Sequence, residues 1–297
     1  MTSSVDEQQV RRIVEDVVGT LRAQQVVGAG GPAPSRGSGK GLFATADEAV
    51  AAADRAQKAL VAGTLDLRRQ IIEAIRQTTR DHAESFSRMT YAETGMGRVE
   101  DKIKKHMLAA DTTPGVEDIQ AVSWTGDHGL TVEEGAPYGV IAAITPSTHP
   151  VPTLVNNAIS MIAAGNSVVF NAHPSAKQIS AHSVEVLNDA VVGAGGPANL
   201  ITCIESPTIE SADQLFNHRG VRLILVTGGA AVARAALGAP KKSIVAGPGN
   251  PPVVVDETAD IRKAARDIVD GAAFDNNVLC IGEKQCFVVA GVADQLK

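Results

Sequence analysis

The sequence has few of the features that mark disulfide-rich, nucleic-acid-binding or metal-binding proteins. Its 297 residues include three cysteines, Cys203, Cys280 and Cys286, without paired spacing. They therefore form no disulfide framework and fit a reducing compartment. There are 27 Lys and Arg residues against 33 Asp and Glu, a net charge of -6, so we expect no basic surface for nucleic acid. No cluster of metal ligands is visible in the sequence.

Long uninterrupted apolar runs are also missing. Pro, Gly or Asn breaks the longest apolar stretches, and no positively charged leader precedes an apolar region. We therefore expect no membrane span, no secretion signal and a cytoplasmic location. Apolar residues make up 44% of the chain, which is enough for one large core or two smaller ones.

The first 22 residues carry an apolar stripe at helical spacing. This stripe predicts a separate amphipathic helix over residues 1–22. Its apolar members are Val5, Val10, Ile13, Val14, Val17, Val18 and Leu21. Residues 23–41 are rich in Gly, Pro and Ser and predict a flexible linker. The apolar face either packs on the protein's own domain or docks on a partner, and the pattern alone favours neither.

Strand, loop and helix alternate from residue 140 onward, after helices predicted at 47–60, 67–88 and 102–110. Buried strands are predicted at 140–144, 167–170 and 221–226, and helices follow at 153–163, 175–191 and 230–237. This order predicts an α/β fold with a Rossmann-like parallel sheet, helices on both faces and ligand loops at the carboxyl ends of the strands. We expect this dinucleotide-binding domain to span 42–245 and a second, catalytic α/β domain to start within 246–297.

Polar or Gly-rich loops follow all three predicted strands. Thr227, Gly228 and Gly229 open a helix, where free backbone N–H groups, the helix dipole and small side chains suit a pyrophosphate. An ordinary Gly-Gly turn is the competing interpretation, and the GxGxxG fingerprint is absent. The other residues predicted to bind the cofactor are Thr145, Pro146, Ser147, Asn171, Ala172, His173 and Gly247.

Cys280 lies on an Asn-rich turn between a helix predicted at 264–273 and a strand predicted at 286–289. Its surroundings read Phe274-Asp275-Asn276-Asn277-Val278-Leu279-Cys280. A turn presents a nucleophile rather than packing it away, whereas a small buried cysteine is the alternative. We expect Cys280 to be the only essential thiol, with Cys203 and Cys286 structural.

This turn resembles the active-site segment of the aldehyde dehydrogenase superfamily, and its Asp-Asn-Asn-x-x-Cys form resembles the branch that makes acyl-coenzyme A. The resemblance implies NAD as cofactor, with Val226-Thr227-Gly228-Gly229 standing where the family holds the cofactor phosphates. Asn171 stands where the family has a Lys, so NADP stays possible. The run from Thr145 to Pro150 resembles the Pro-Trp-Asn-Phe-Pro loop, whose Asn stabilises the oxyanion; here Thr148 stands at that position, with His149 next to it. The resemblance implies that Thr148 and His149 are the catalytic candidates and that one of them stabilises the oxyanion with the Cys280 backbone N–H.

The residue at position 246 separates two reactions within this resemblance. Hydrolytic members carry a Glu-Leu-Gly-Gly segment whose Glu activates water, whereas this chain has Ala246 at the Glu position. Without that general base, a thioester on Cys280 awaits coenzyme A. The resemblance therefore implies reversible, NAD(P)-dependent oxidation of a short aldehyde to acyl-coenzyme A.

The N-terminal helix and its linker resemble the encapsulation peptides that carry enzymes into bacterial microcompartments. This implies a shell protein as partner of residues 1–22 and a location inside a microcompartment. In the family the catalytic domain continues far beyond the cysteine, so we expect a chain truncated at its C-terminus and a homo-oligomer when full length. Two alternatives stay open, a hydrolytic or phosphorylated-substrate aldehyde dehydrogenase and an inactive cargo or cofactor-binding fragment.

Overall fold

The computed structural model describes residues 40–247 and 249–297, which belong to one compact unit. The predicted helix over residues 1–22 and nearly all of the predicted linker lie outside the described residues. Among the described residues, no helix combines the length and apolarity needed to cross a membrane.

Three helices precede most of the strands: α1 (Ala46–Val61), α2 (Leu65–Thr94) and α3 (Val99–Thr112). Thr45 and Thr64 cap the first two, each accepting a backbone N–H through its side chain; this satisfies a donor left free at a helix start. Helix α2 runs past its predicted end because neither Gly nor Pro occurs before Gly95, whose left-handed φ of 67° ends it.

Six strands form the central sheet. They are β1 (Leu42–Phe43), β4 (Val140–Ile144), β5 (Ser167–Asn171), β6 (Ile201–Ile204), β7 (Val221–Thr227) and β8 (Ser243–Ala246), in the order β1-β6-β5-β4-β7-β8. Every neighbouring pair is parallel. Strands β2 (Val122–Gly126) and β3 (Gly129–Glu133) form a separate, exposed antiparallel hairpin.

Helices cover both faces of the sheet, as predicted. Helix α4 (Pro150–Ala163) and helix α5 (Lys177–Gly193) join α2 on one face, where Phe86, Leu154 and Phe170 share a core. On the other face α1, α6 (Ile209–Asn217) and α7 (Ala230–Leu237) pack around a second core that includes Ile224. Strands β4 and β5 are buried at every residue, as expected for parallel strands between two helix layers.

The sequence analysis misplaced or missed several elements. It missed β6 and α6, so the strand predicted at 221–226 is not consecutive with the strand before it. It also missed β1, β8 and the hairpin. Helix α4 begins at Pro150 rather than at 153, because proline suits the first turn of a helix.

Beyond the central sheet the chain forms β9 (Pro252–Val255), α8 (Ile261–Ala273), β10 (Gln285–Val288) and α9 (Ala290–Leu296). Strands β9 and β10 pair in parallel as a small separate sheet. The predicted domain boundary at 245/246 falls at the last residue of β8, after which the chain leaves the central sheet. The division itself stays a prediction.

Candidate active site

The loops predicted to bind a cofactor meet at one edge of the central sheet. Strand β4 lies between β5 and β7, so Ile144 pairs with Asn171 on one side and with Val226 on the other. Thr227 in turn pairs with Ala246 of β8. The chain runs outward from β4 through β5 and β6 and then crosses to β7. The carboxyl ends of β4 and β7 therefore flank a topological switch point, where open α/β sheets bind ligands.

The loop after β5 makes hydrogen bonds within the protein that the sequence did not predict. Asn171 is 4% exposed, its Nδ2 donates to the Thr208 carbonyl at 3.2 Å, and its Oδ1 accepts from the Ser211 hydroxyl at 2.5 Å. Its amide therefore holds the start of α6. Ala172 is also buried, whereas His173 is exposed and accepts the Ser175 N–H at 3.2 Å. Of these three, only His173 presents its side chain to solvent.

The loop after β7 offers space rather than a full set of free donors. The Gly228 N–H, predicted to be free, donates to the Ala246 carbonyl at 3.2 Å because the ladder between β7 and β8 continues to this residue. A Cβ added to Gly228 or Gly229 would meet nothing within 4 Å. Across the switch point, the hydroxyl of Thr145 is buried without a partner among the described residues. An open Gly-Gly loop after β7 and a polar hydroxyl after the neighbouring β4 fit a polar ligand such as a dinucleotide.

Cys280 is exposed, as predicted, on a turn built from left-handed residues. Asp275, Asn276 and Asn277 have φ of 48°, 55° and 59°, a conformation that Asp and Asn tolerate better than other side chains. These three residues reverse the chain directly after α8 and so lead to the cysteine.

The other two cysteines differ from each other. Cys203 is 1% exposed, and burial raises the pKa of its thiol to about 12, which fits the structural role predicted for it. Cys286 is exposed on β10. Exposure alone therefore does not distinguish Cys286 from Cys280, and the structural role of Cys286 stays a prediction.

A buried ionic network, missed in the sequence, anchors this turn. Asp275 is 0% exposed, and its Oδ2 lies 3.1 Å from Lys102 Nζ and 2.5 Å from Lys105 Nζ. Its Oδ1 accepts the Arg98 N–H at 2.6 Å, and its own N–H donates to Asp101 Oδ2 at 3.0 Å. The only sequence signal was two lysines at helical spacing on α3, which an exposed helix face would also show.

Glycine at position 97 is required for this close approach. A Cβ there would lie 2.0 Å from Asp275 Oδ1, and Gly97 has a left-handed φ of 72°. A side chain at this position would push the carboxylate away from its partners.

Lys105 brings the predicted catalytic loop beside the cysteine turn. Its Nζ lies 3.4 Å from the carbonyl of Val278 and 3.5 Å from the carbonyl of Thr148. The next residue, His149, has a buried Nδ1 without a partner among the described residues. Burial, helped by the nearby charge of Lys105, lowers the pKa of His149 well below its usual value. A neutral imidazole with a free nitrogen can donate or accept one hydrogen bond in the site.

The segment after β8 lies directly against the cysteine. A Cβ added to Gly249 would come within 2.0 Å of the Cys280 carbonyl oxygen, so backbone meets backbone here. The residue that ends β8 is Ala246, which has no carboxylate. Among residues 40–247 and 249–297, no group of His, Cys, Asp and Glu could hold a metal ion.

Comparison with known proteins identifies close relatives of this arrangement. A model described as the aldehyde dehydrogenase family matches residues 40–297. An acetaldehyde dehydrogenase (acetylating) from Bilophila wadsworthia is 48% identical over 298 residues, covering 99% of this chain and 61% of that protein.

Solved structures agree with the sequence comparison. A propionaldehyde dehydrogenase from the Clostridium phytofermentans fucose utilisation bacterial microcompartment superposes with a TM-score of 0.84 at 48% identity, over 86% of this chain and 59% of that one. A Rhodopseudomonas palustris propionaldehyde dehydrogenase with bound CoA and an acylated cysteine gives 0.84 at 47% identity over the same shares, 86% and 59%. This chain thus spans 59% to 61% of the length of these relatives.

Proposed function

Because this chain belongs to the aldehyde dehydrogenase family, we propose that the whole protein oxidises a short aldehyde to its coenzyme A thioester. The substrate is of the acetaldehyde or propionaldehyde class, and NAD or NADP accepts the hydride. The names of the similar proteins support this assignment, since one is acetylating and another was solved with bound CoA and an acylated cysteine.

The observation that carries the proposal is the exposed Cys280, anchored at Asp275 and lying beside the loop of Thr148 and His149. The cysteine sulfur attacks the aldehyde carbon, and the carbonyl oxygen becomes an alkoxide. The Cys280 backbone N–H and the side chain of Thr148 or His149 donate to that oxygen. Burial keeps His149 neutral, so it contributes a hydrogen bond rather than a charge.

The residues at the switch point fit a dinucleotide. The open loop of Gly228 and Gly229 leaves room for phosphates, and the Thr145 hydroxyl, which has no partner among the described residues, supplies a hydrogen-bonding group after the neighbouring strand β4. When bound, the nicotinamide accepts the hydride that leaves the substrate carbon. The resulting acyl group stays on the Cys280 sulfur as a thioester until a thiol displaces it.

Coenzyme A, rather than water, is the acceptor that the site favours. Ala246 ends β8 close to Gly249, which lies against Cys280, so no carboxylate at position 246 activates water. Thioester hydrolysis without a general base forgoes a factor of roughly 10² to 10⁴. A thiolate nucleophile needs no such help near neutral pH.

The test is the dependence of turnover on coenzyme A. With propanal or acetaldehyde and NAD, we expect a burst of about one NADH per active site without coenzyme A and steady turnover when it is added. Ala246→Glu should raise release of free acid without coenzyme A, with Ala246→Gln as the matched uncharged control. Equal release of free carboxylic acid with and without coenzyme A would favour the hydrolytic alternative. Binding of NAD without any burst would favour a cofactor-binding fragment.

Residues 1–22 are proposed as a docking element for a microcompartment shell protein. The support is their apolar stripe and the microcompartment origin stated for the Clostridium phytofermentans relative. Deleting them should abolish co-purification with shells and leave the melting temperature nearly unchanged, whereas a large drop in melting temperature would show that they pack on the protein itself.

A homo-oligomeric state is proposed from the family resemblance, and light scattering at several concentrations tests it.

A further inference from the structure

Lys105 contacts two loops of the candidate active site through one ammonium group. Its Nζ lies 2.5 Å from Asp275 Oδ2, 3.4 Å from the Val278 carbonyl and 3.5 Å from the Thr148 carbonyl. Asp275 and Val278 belong to the turn that leads to Cys280, and Thr148 belongs to the loop after β4. An ammonium has three N–H donors, so each donor has one acceptor.

Lys102 shares the carboxylate but not the loops. Its Nζ lies 3.1 Å from Asp275 Oδ2, and its side chain is as buried as that of Lys105, at 3% exposure. Among the hydrogen bonds of the described residues, it donates to neither Val278 nor Thr148. The two lysines therefore match in charge, burial and ionic partner, and differ in their contacts with the active-site loops.

The surroundings of Lys105 favour a fixed position. The charged groups that face it are Asp275, Lys102 and Asp101, and the rings of His106 and His149 lie close enough to act on the same charges. Burial lowers the pKa of Lys105, while the hydrogen bond to Asp275 opposes the shift. A buried ammonium without its acceptors would be costly, so the two loops are held to it as much as it is held to them.

We propose that Lys105 is a positioning residue that sets the separation between the Cys280 turn and the loop carrying Thr148 and His149. This inference rests on the proposed function, because it assigns those two loops to nucleophilic attack and oxyanion stabilisation. Lys105 acts through the backbone of both loops. A misplacement of about 1 Å between reacting groups can cost on the order of 10²-fold in rate.

Kinetics of matched variants test the proposal. Lys105→Met should lower kcat for acyl-coenzyme A formation about 10²-fold with a smaller change in KM for NAD, because Gly228 and Gly229, which leave room for the phosphates, lie on a loop outside the two that Lys105 holds. Lys102→Met should lower kcat by less than about fivefold, although both variants remove one cation from Asp275 and should lose similar melting temperature. Equal kcat losses in the two variants would overturn the proposal and assign both lysines to stability alone.

A second measurement needs neither aldehyde nor coenzyme A. Hydrogen exchange should accelerate in peptides covering 145–149 and 276–282 together in Lys105→Met, and much less in Lys102→Met. Loosening of only one of these segments, or of both equally in the two variants, would sink the proposed coupling. If the methionine variants do not fold, Lys105→Gln and Lys102→Gln, which keep a hydrogen-bond donor, are compared in the same way. A coupled loosening without any acyl-coenzyme A formation would keep the coupling and reject the proposed function.

Discussion

Two parallel strand pairs in this molecule have opposite surroundings. Every residue of β4 and β5 is buried between helix layers, whereas β9 and β10 are mostly exposed. Phe170 on β5 is 0% exposed and Phe287 on β10 is 56% exposed. Helix α8, which joins β9 to β10, has no buried residue. Parallel pairing alone therefore does not make a core.

The difference shows two ways of fixing a backbone. Apolar burial on both faces fixes the central sheet. The turn before Cys280 is fixed instead by Asp275, a buried carboxylate that reaches two lysines of α3. Ionic and hydrogen-bonded anchoring is more directional than apolar packing, which suits a thiol that must stay exposed and still keep its position.

The strongest test of this comparison is the pair of exposed cysteines. Cys280→Ser should reduce acyl-coenzyme A formation by about 10⁴-fold or more, because the nucleophile is lost. Cys286→Ser, on exposed β10, should keep activity close to that of the unchanged protein. Steady-state assays check both, and substantial activity in Cys280→Ser would reject the cysteine mechanism.

The ionic anchor is tested by removing its charge. Asp275→Asn leaves two buried ammonium groups without a carboxylate, which should cost about 3–5 kcal/mol in the free energy of unfolding. Asp260→Asn is the control, since Asp260 caps exposed α8 and Asn caps equally well. Urea unfolding measures both, and equal stabilities would show that the anchor contributes nothing.

The apolar side of the comparison is tested by two phenylalanines. Phe170→Ala should cost about 3–5 kcal/mol because it leaves a cavity in the packed core. Phe287→Ala should change stability by no more than about 0.5 kcal/mol, as expected at an exposed site. A loss at Phe287 as large as that at Phe170 would mean that β10 is buried in solution.

Sequence reasoning predicted the helices and strands held by apolar packing better than it predicted the polar contacts. The strand Val140–Ile144 and the helix Ala230–Leu237 were predicted with their observed bounds, because period and composition report local burial. Strand β6 was missed because its four residues, Ile201–Ile204, give too short a signal.

The site was predicted in part. Cys280 and the sheet edge followed from local patterns, but the link from Asp275 to Lys105 joins residues 170 positions apart. A single sequence contains no signal for such a pairing. Asn171 was assigned to the cofactor because of its place after a strand, whereas its amide groups bind Thr208 and Ser211. Position along a strand predicts the edge on which a residue lies, but not its partners.

A pH-dependent effect is expected beside the same network. His106 is 1% exposed, its Nδ1 lies 2.7 Å from the Lys102 carbonyl, and burial lowers its pKa from 6.5 to about 4. Between pH 6.5 and about 4, the unfolded chain therefore binds a proton at His106 that the folded chain does not bind. The free energy of unfolding that depends on neutral His106 is fully present above pH 6.5. It falls by about 3 kcal/mol as the pH drops towards 4.

Comparing unfolding free energies across this pH range checks the effect. His106→Gln should flatten the loss between pH 6.5 and 4, whereas His128→Gln, in the exposed turn of the hairpin, should leave the slope unchanged. A slope that is the same in all three proteins would assign the acid sensitivity to other groups.

The smallest expected effect concerns the backbone contact between the end of the central sheet and the cysteine turn. Gly249→Ala places a methyl group where only 2.0 Å separates an added Cβ from the Cys280 carbonyl oxygen, so one of the two backbones must move, at a cost of about 1–3 kcal/mol. Gly247→Ala adds the same methyl group with no atom within 4 Å and should cost less. Thermal unfolding of the two variants measures the difference. If Gly249→Ala is as stable as Gly247→Ala, this backbone contact does not help to hold the turn, and the network around Asp275 carries the anchoring of Cys280 without it.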